Sequence, residues 1–360
     1  MNLKVWWRGL AEGSRSGFSV LLTTLLLAVP SLLYGVLLRI RALLYRTGVF
    51  RSYRLPCPVV SVGNLTVGGT GKTPVTIWIA RQLLQQGKRV AVLSRGYGGS
   101  YTGTAAIVSD GQTMLLTPEQ AGDEPYLLAT SVPGLMVVVG ADRYRAGLLA
   151  LEHLQPDLLL LDDGFQHVRL QRDLNILLLD SRRPFGNGWT LPLGLLREPR
   201  TALKRADLVL FTRHQPGQSV VDPGLPYCCC SHQQTSFNKL DSGKELSLVL
   251  LQQTRVAAFC GIADPEGFFE GLRRLGMTLV ATMALSDHEP YHGQTLKRLE
   301  QFAADYNADW LVTTEKDGVK LARQQHFWCS KVVTARLELQ LSDSGSVMRL
   351  ALDKLLSSQP

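Results

Sequence analysis

The stretch Val59–Thr73, VVSVGNLTVGGTGKT, runs from β-branched residues through a glycine-rich turn into Gly-Lys-Thr. This order predicts a buried strand, a phosphate-binding loop and a helix over Pro74–Gln86 directly behind it. Backbone N–H groups from Gly68 to Thr73 would face one concavity, and the dipole of the helix adds partial positive charge there. The pattern therefore predicts a site for the phosphates of a nucleotide.

Two side chains of this loop carry specific chemistry. Lys72 can reach the β- and γ-phosphates of ATP, and the hydroxyl of Thr73 can hold Mg²⁺. The usual pattern has glycine where this chain has Thr66, so a glycine-rich turn that binds no nucleotide is the alternative interpretation. The nucleotide-binding residues predicted from the loop are Thr66, Val67, Gly68, Gly69, Thr70, Gly71, Lys72 and Thr73.

A second signature is the segment Leu158–Asp163, LLLLDD, an apolar strand that ends in two aspartates. Ligands of parallel sheets bind at the carboxyl ends of the strands, which is where these carboxylates would lie. Mg²⁺ takes one or two carboxylates together with phosphate oxygens and water. We therefore predict that Asp162 and Asp163 complete a magnesium site with Thr73, the alternative being an acidic turn after a strand.

Composition limits the class of protein. The 360 residues are 45% hydrophobic, which is enough for one large α/β core or two modest ones. Of the net charge of +8, residues 1–54 carry +7, whereas a nucleic-acid enzyme would spread basic residues along its working face. The six cysteines have no metal-ligand spacing, and the adjacent Cys228, Cys229 and Cys230 are poorly placed to chelate or to pair. We expect reduced thiols in a cytosolic compartment and no nucleic-acid partner.

The basic residues flank an uncharged apolar segment, Phe18–Leu38. Its 21 residues are long enough to cross a bilayer, although Pro30 and Gly35 interrupt it. The arginines that follow suit anionic headgroups on the cytoplasmic side of a membrane. Three interpretations remain: an interfacial or partly inserted helix, a true span, or a helix buried in a soluble core.

Beyond residue 54, strand-like runs alternate with amphipathic stretches. This alternation predicts an α/β fold, a P-loop NTPase-type parallel sheet with helices on both faces, followed by a smaller α/β lobe. The polar stretch His214–Gly243 resembles an insertion or linker, and a strand is expected over Leu246–Leu251. The predicted divisions are a membrane-associated helical segment at 1–54, a kinase core at 55–215, a linker or insertion at 216–245 and a smaller lobe at 246–360.

Seven sequence blocks together resemble one family, the tetraacyldisaccharide 4′-kinases, which are the lipid A 4′-kinases of Gram-negative bacteria. They are VSVGNLTVGGTGKTP, LSRGYGG, AGDEPYLL, DDGFQHVRL, RRPFGNGW, PLGLLREP and TTEKDGVKL, and they span nearly the whole chain. The resemblance implies transfer of the γ-phosphate of ATP to the 4′-hydroxyl of lipid A disaccharide 1-phosphate, giving lipid IV-A. It also implies attachment to the cytoplasmic face of the inner membrane, and no obligate protein partner is expected.

The resemblance assigns catalytic roles. Asp123 in Gly-Asp-Glu-Pro matches the family's catalytic carboxylate, and His288 matches its Asp-His block. Such a pair could accept the proton of the sugar hydroxyl while the γ-phosphoryl group is held in line. Taken alone, Asp123 would be a helix N-cap and His288 a surface histidine. Arg143 could stabilise charge on the γ-phosphate or, with Asp142, cap a helix.

The remaining site residues have weaker support. Glu124 could assist the Mg²⁺ site, and Gln166 could touch the γ-phosphate or simply pack. Arg95 and Tyr97 follow a strand and are assigned to the lipid headgroup or to phosphate. Loops rich in glycine and proline carry three further polar residues that suit substrate recognition or a rigid turn equally well: Asn187, Arg197 and Glu198.

The main alternative function is a membrane-associated P-loop ATPase that acts as a switch or targeting protein. That group resembles this chain in its GG-x-GKT loop but typically has a signature lysine where this chain has Val67.

Overall fold

The computed structural model describes residues 3–287, 289–322, 331–343 and 345–357, which form an α/β protein around a mostly parallel sheet. The strands in this part of the chain are β1 Val59–Asn64, β2 Val90–Ser94, β3 Ala106–Asp110, β4 Met136–Val139, β5 Leu158–Asp162, β6 Leu174–Asp180, β7 Leu208–Thr212, β8 Tyr227–Lys239, β9 Glu245–Leu246, β10 Val256–Cys260, β11 Leu279–Ala284, β12 Trp310–Thr314 and β13 Val332–Leu341. They are ordered β11-β10-β12-β13-β8-β7-β6-β1-β5-β2-β4-β3 across the sheet, and β9 pairs with β8.

Helices cover both faces of this sheet. Within the same residues they are α1 Leu3–Ala11, α2 Phe18–Arg46, α3 Lys72–Gln85, α4 Pro118–Ala121, α5 Asp123–Ser131, α6 Arg143–His153, α7 Leu248–Gln253, α8 Pro265–Arg274, α9 Gly293–Asp305, α10 Glu315–Leu321 and α11 Ser346–Ser357, with a 3₁₀ helix over Arg200–Arg205. Strands β1, β2, β4, β5 and β7 are buried along their whole length, as expected for parallel strands with helices on both faces. The predicted α/β fold class is confirmed.

The polar segment between the two halves of the chain contains β8, a strand of 13 residues. Its first residues pair in parallel with β7, and the rest pairs antiparallel with β13, so that β8 joins the two halves of the sheet. Cys228 and Cys230 pack into one apolar cluster and Cys229 into another, because successive side chains of a strand point to opposite faces. The three adjacent cysteines are therefore core residues of a bridging strand.

Two other expectations need correction or refinement. The apolar run Leu246–Leu251 is not a strand: Ser247 caps helix α7 by accepting a hydrogen bond from the backbone N–H of Leu250. A capping serine before four apolar and two amide residues favours a helix over a strand. Helix α11 packs its apolar face against the core of the first half, although it lies at the end of the chain. The domain boundaries themselves remain predictions.

Helix α2 extends through Pro30 and Gly35 without ending, and its mean hydropathy makes it the single candidate for a membrane span among the described residues. Most of its leucines are exposed, and its buried residues are Ser31 and Gly35. The Ser31 hydroxyl donates to the carbonyl of Thr190 at 2.7 Å, and the Thr190 hydroxyl donates back to the carbonyl of Ser31 at 2.8 Å. A few polar contacts therefore dock this largely exposed apolar helix, which does not fit the interpretation of a buried core helix.

Candidate functional site

The glycine-rich loop connects β1 to α3 as predicted. Gly68 and Gly71 have φ angles of 109° and 80°, which glycine adopts without strain, and Gly71 directly precedes α3. The first N–H groups of α3 and the positive end of its dipole therefore face the loop, an arrangement suited to an anion. Thr66, at the position of the missing glycine, is buried and forms a bridge to Leu196, so the departure from the pattern is absorbed by pairing with a neighbouring loop.

The two aspartates lie at the carboxyl end of β5, beside β1, with Asp162 in register with Val62. Asp162 is 3% exposed and accepts a hydrogen bond from Thr76 at 3.2 Å. Burial, reinforced by the nearby carboxylates of Glu124 and Asp163, raises the pKa of Asp162 to about 7. A buried carboxyl group flanked by two other carboxylates is a fitting ligand for a divalent cation.

Asp163 is in a different electrostatic environment. Arg197 binds it with two nitrogens, at 3.0 and 2.8 Å, and the ammonium of Lys72 lies 3.7 Å away. Burial opposes ionisation, but the hydrogen bonds from Arg197 and the charge of Lys72 outweigh it and lower the pKa of Asp163 to about 2. Arg197 also bonds to Asn64 on β1. Asp163 therefore anchors the loop Leu196–Arg197 beside Lys72, and Asp162 is the better placed of the two for a metal.

Arg143 is buried between the aspartates and the loop after β4. Its guanidinium donates to the carbonyls of Gly140 and Ala141 at 3.2 and 3.4 Å, and its Nε has no partner. Burial lowers its pKa to about 10, although the charges of Asp162 and Asp163 oppose this. The predicted helix cap is Asp142, which accepts a hydrogen bond from Tyr144. A buried cation bonded to carbonyls is positioned to attract an additional anion.

Two side chains of the DDGFQH block also approach the loop. Gln166 donates to the carbonyl of Asn64 at 2.8 Å, while its side-chain oxygen is buried without a partner. The Nε2 of His167 is likewise buried without a hydrogen-bond partner, and burial with the charge of Arg143 lowers the pKa of His167 to about 4. His167 is therefore neutral at physiological pH.

The Gly-Asp-Glu-Pro block forms the start of α5. Gly122 has a φ of 90°, and a Cβ there would lie 2.6 Å from the carbonyl oxygen of Tyr97, so this turn packs tightly against the Arg-Gly-Tyr-Gly-Gly loop. Asp123 and Glu124 follow in the first turn of α5, where the helix dipole favours carboxylates. Lys320 lies 3.1 Å from Asp123, and Lys316 lies 3.2 Å from Glu124.

One cavity of about 960 Å³ collects most of these groups. The predicted residues that line it are Thr66, Val67, Gly68, Gly69, Thr70, Gly71, Lys72, Thr73, Arg95, Tyr97, Glu124, Arg143, Asp162, Asp163, Gln166 and Arg197. Asp123 lies beside the cavity next to Glu124, whereas His288 lies outside the described residues. The opposite wall comes from the second half of the chain, including the loop after β10 and the start of α10.

Asn187 and Glu198 are not brought to this cavity. Asn187 donates to the carbonyls of Leu10 and Leu193, and its side-chain oxygen accepts from Trp189. Glu198 is 4% exposed and lies 2.7 Å from Arg205. Of the two interpretations of these loops, the rigid turn fits these contacts better.

Sequence reasoning missed an ionic network that holds the glycine-rich loop from the other side. Arg213 donates to the carbonyl of Gly69 at 2.6 Å and to Asp180 at 2.5 Å, and it lies 3.3 Å from Asp264. Arg182 bridges the same two aspartates. Arg182 lay within the block RRPFGNGW, but no sequence pattern marked Arg213, because its role depends on contacts between distant parts of the chain.

A metal site fits this arrangement only if the ligand supplies part of the coordination. In the part of the chain that the structure describes, no group of three or more His, Cys, Asp or Glu side chains is arranged to bind a metal. Magnesium bound together with nucleotide phosphates needs no more than one or two carboxylates. Asp162 and the Thr73 hydroxyl, which line the same cavity, fit that requirement.

Comparison with known proteins agrees with the seven blocks. Residues 23–356 match a family model described as tetraacyldisaccharide-1-P 4′-kinase. The chain is 53% identical over 345 residues to the tetraacyldisaccharide 4′-kinase of Pelobacter propionicus, with 95% of both chains covered. It is 51% identical over 357 residues to that of Geobacter sulfurreducens, covering 99% of this chain and all of the relative. The crystal structure of LpxK from Aquifex aeolicus in complex with ATP is similar with a TM-score of 0.75 and 34% identity, covering 90% of this chain and 96% of that one.

Proposed function

The chain belongs to the tetraacyldisaccharide-1-P 4′-kinase family, and on that premise we infer that it transfers the γ-phosphate of ATP to the 4′-hydroxyl of lipid A disaccharide 1-phosphate. The product is lipid IV-A, and the reaction is a step of lipid A biosynthesis. The observation that carries the inference is the convergence of the glycine-rich loop, two strand-end aspartates and the acidic start of α5 around one cavity. A nucleotide-binding fold alone would not need the last of these.

ATP would bind with its phosphates on the loop Gly68–Thr73, against Lys72 and the first N–H groups of α3. Mg²⁺, which shields phosphate charge when bound, would be held by Thr73 and Asp162, with Glu124 nearby. Asp163 would act indirectly, because it is already engaged by Arg197 and Lys72. Arg143 would neutralise charge that develops on the transferred group, since a buried guanidinium bonded to carbonyls gains strongly from an anion.

The acceptor hydroxyl must lose a proton as its oxygen bonds to the γ-phosphorus and the bond to the β–γ bridging oxygen breaks. Asp123 is the proposed acceptor of that proton, alone or with His288 as a coupled pair. ADP leaves with the electron pair of the broken bond. Arg95 and Tyr97 line the same cavity and are proposed to contact the headgroup or phosphate of the lipid.

The acyl chains of such an acceptor stay in the bilayer while ATP is in the cytosol. Helix α2 presents an exposed apolar surface, and near its end Arg41 donates to the carbonyl of Gln166 at 3.1 Å. This contact links the membrane-facing helix to a residue that lines the cavity. We propose attachment to the cytoplasmic face of the inner membrane, with the cleft close to the plane of the headgroups.

The test is transfer of label from [γ-³²P]ATP to lipid A disaccharide 1-phosphate in mixed micelles. Wild type should label the lipid, and Asp123→Ala should reduce kcat by orders of magnitude. Asp222→Ala, in an exposed loop, is the matched control. Labelled inorganic phosphate but no labelled lipid, with ATP hydrolysis stimulated by membranes or a protein partner, would contradict the kinase and favour the ATPase switch.

A further inference from the structure

The block TTEKDGVKL forms the start of α10, and the structure anchors that start firmly. Thr314 caps the helix by accepting from the N–H of Asp317, and it donates its hydroxyl to the Asp317 carboxylate at 2.7 Å. Asp317 is fully buried and also accepts from the N–H of Gly261 at 3.0 Å. The first turn of α10 is thereby tied to the loop after β10. The side chains that project from α10 toward α5 are therefore held at fixed positions.

These side chains are two lysines, Lys316 and Lys320. They are four residues apart and so share one face of the helix. Lys320 lies 3.1 Å from Asp123 Oδ2, while Lys316 lies 3.2 Å from Glu124 Oε1 and 3.5 Å from Asp287. Each lysine thus meets one of the two consecutive acids of α5, and both side chains are mostly buried, Lys320 being 10% exposed.

Lys320 is held from more than one side. Besides Asp123, its ammonium donates to the carbonyl of Glu289 at 3.3 Å and lies 5.8 Å from the centre of the Tyr291 ring. Because these contacts fix the Lys320 ammonium, the Asp123 carboxylate would lose its ion pair if it rotated away. The ion pair therefore holds the carboxylate in one orientation. Asp123 and Glu124, together with Asp287, would otherwise repel one another at short range.

We propose that Lys320 is a positioning residue for phosphoryl transfer, whose ammonium holds the carboxylate of Asp123 in the orientation in which it acts on the acceptor hydroxyl. Lys316 orients the neighbouring Glu124 and Asp287 in the same way. The proposal rests on the proposed role of Asp123. It assigns a function to the two lysines of the block TTEKDGVKL.

The test is a double-mutant cycle between Lys320→Met and Asp123→Asn, with kcat, the KM for ATP and Tm measured for every variant. Lys320→Met should lower kcat by about 10- to 100-fold with the KM for ATP unchanged, because a misplaced reacting group costs rate and not nucleotide affinity. Lys320→Arg should restore most of that loss. In the Asp123→Asn background, Lys320→Met should change kcat by less than about twofold, because its target is already lost. Lys297→Met, on the exposed side of α9, is the control.

Three outcomes would overturn the proposal, two of them in kcat. One is a loss of kcat that is equally large in both backgrounds, and the other is an unchanged or raised kcat in Lys320→Met. A drop in Tm accompanied by a weaker KM for ATP would likewise reduce Lys320 to a structural residue. The failure of the proposed base is distinguishable, because Asp123→Asn by itself would then retain full kcat whatever the lysine variants do.

Discussion

Asp162→Asn tests the electrostatics of the site through protein stability. In the unfolded chain the carboxyl group of Asp162 has a pKa of 3.8, and burial among like charges raises its pKa to about 7 in the folded protein. Between these two values the unfolded chain loses the proton while the folded protein keeps it. The free energy of unfolding therefore falls as the pH rises from about 4 to 7, and the loss is complete above pH 7.

The magnitude follows from the same two values. A pKa raised from 3.8 to about 7 corresponds to about 4 kcal/mol at pH 8, and at pH 5 to about 1.6 kcal/mol. For 360 residues, 1 kcal/mol shifts Tm by roughly 1.3 °C. Without Mg²⁺ and nucleotide, Asp162→Asn should therefore melt about 5 °C above wild type at pH 8 and about 2 °C above it at pH 5.

The assay is thermal unfolding in detergent at several pH values, with and without MgATP. Asp305→Asn, at the exposed end of α9, should show no such pH-dependent difference. MgATP should raise the Tm of wild type more than that of Asp162→Asn, because the variant lacks the proposed metal ligand. A Tm difference that is the same at pH 5 and pH 8, or a variant less stable than wild type at pH 8, would refute the reasoning.

Three further predictions concern the loop, the helix and the thiols. Gly71→Ala should weaken ATP binding at least about tenfold in an ATP titration, because a Cβ there would lie 2.5 Å from the His232 ring. Gly87 has a similar φ but open space around it, so Gly87→Ala should cost only about 1–2 kcal/mol of stability in a melting experiment. Gly35→Leu should reduce phosphorylation of the lipid with ATP affinity unchanged, because a Cβ at Gly35 would already lie 3.5 Å from Thr190 Oγ1 and the rest of a leucine side chain would clash there. Val36→Leu, on the exposed side of α2, should leave both intact. Cys228, whose pKa burial raises to about 12, should resist alkylation at pH 8 in the native protein and react after unfolding, as read by mass spectrometry; rapid labelling of the native protein would contradict its place in the core.

The elements that could be predicted from sequence are those whose signal is local. β1, the glycine-rich loop and α3 follow from a β-branched run, positive-φ glycines and a helical pattern within about 25 residues. The strand predicted at the start of Leu158–Asp163 corresponds to β5, because buried parallel strands are apolar throughout. The meeting of Asp162 with the loop also follows, since parallel strands end at one edge of a sheet.

Pattern reasoning failed where partners distant in sequence decide the structure. β8 has the composition of a polar linker because most of its length pairs with β13, about 100 residues later, where its side chains meet polar neighbours and the cavity. The run Leu246–Leu251 is apolar like a strand, but Ser247 within it caps the first turn of helix α7. Arg213 had no motif at all, since its partners Gly69 and Asp264 are brought to it only by the folded sheet.

The sequence by itself determined the phosphate-binding loop, the acidic strand end, the apolar basic-flanked segment and the family, because each is a short pattern of residue types. Only the tertiary structure decided that Arg197 engages the carboxylate of Asp163, and that Asn187 and Glu198 make their contacts away from the cavity. It alone placed Lys320 against Asp123, about 200 residues apart. Charge pairing acts across a few ångströms of space, and spacing along the chain does not encode that distance until the chain has folded.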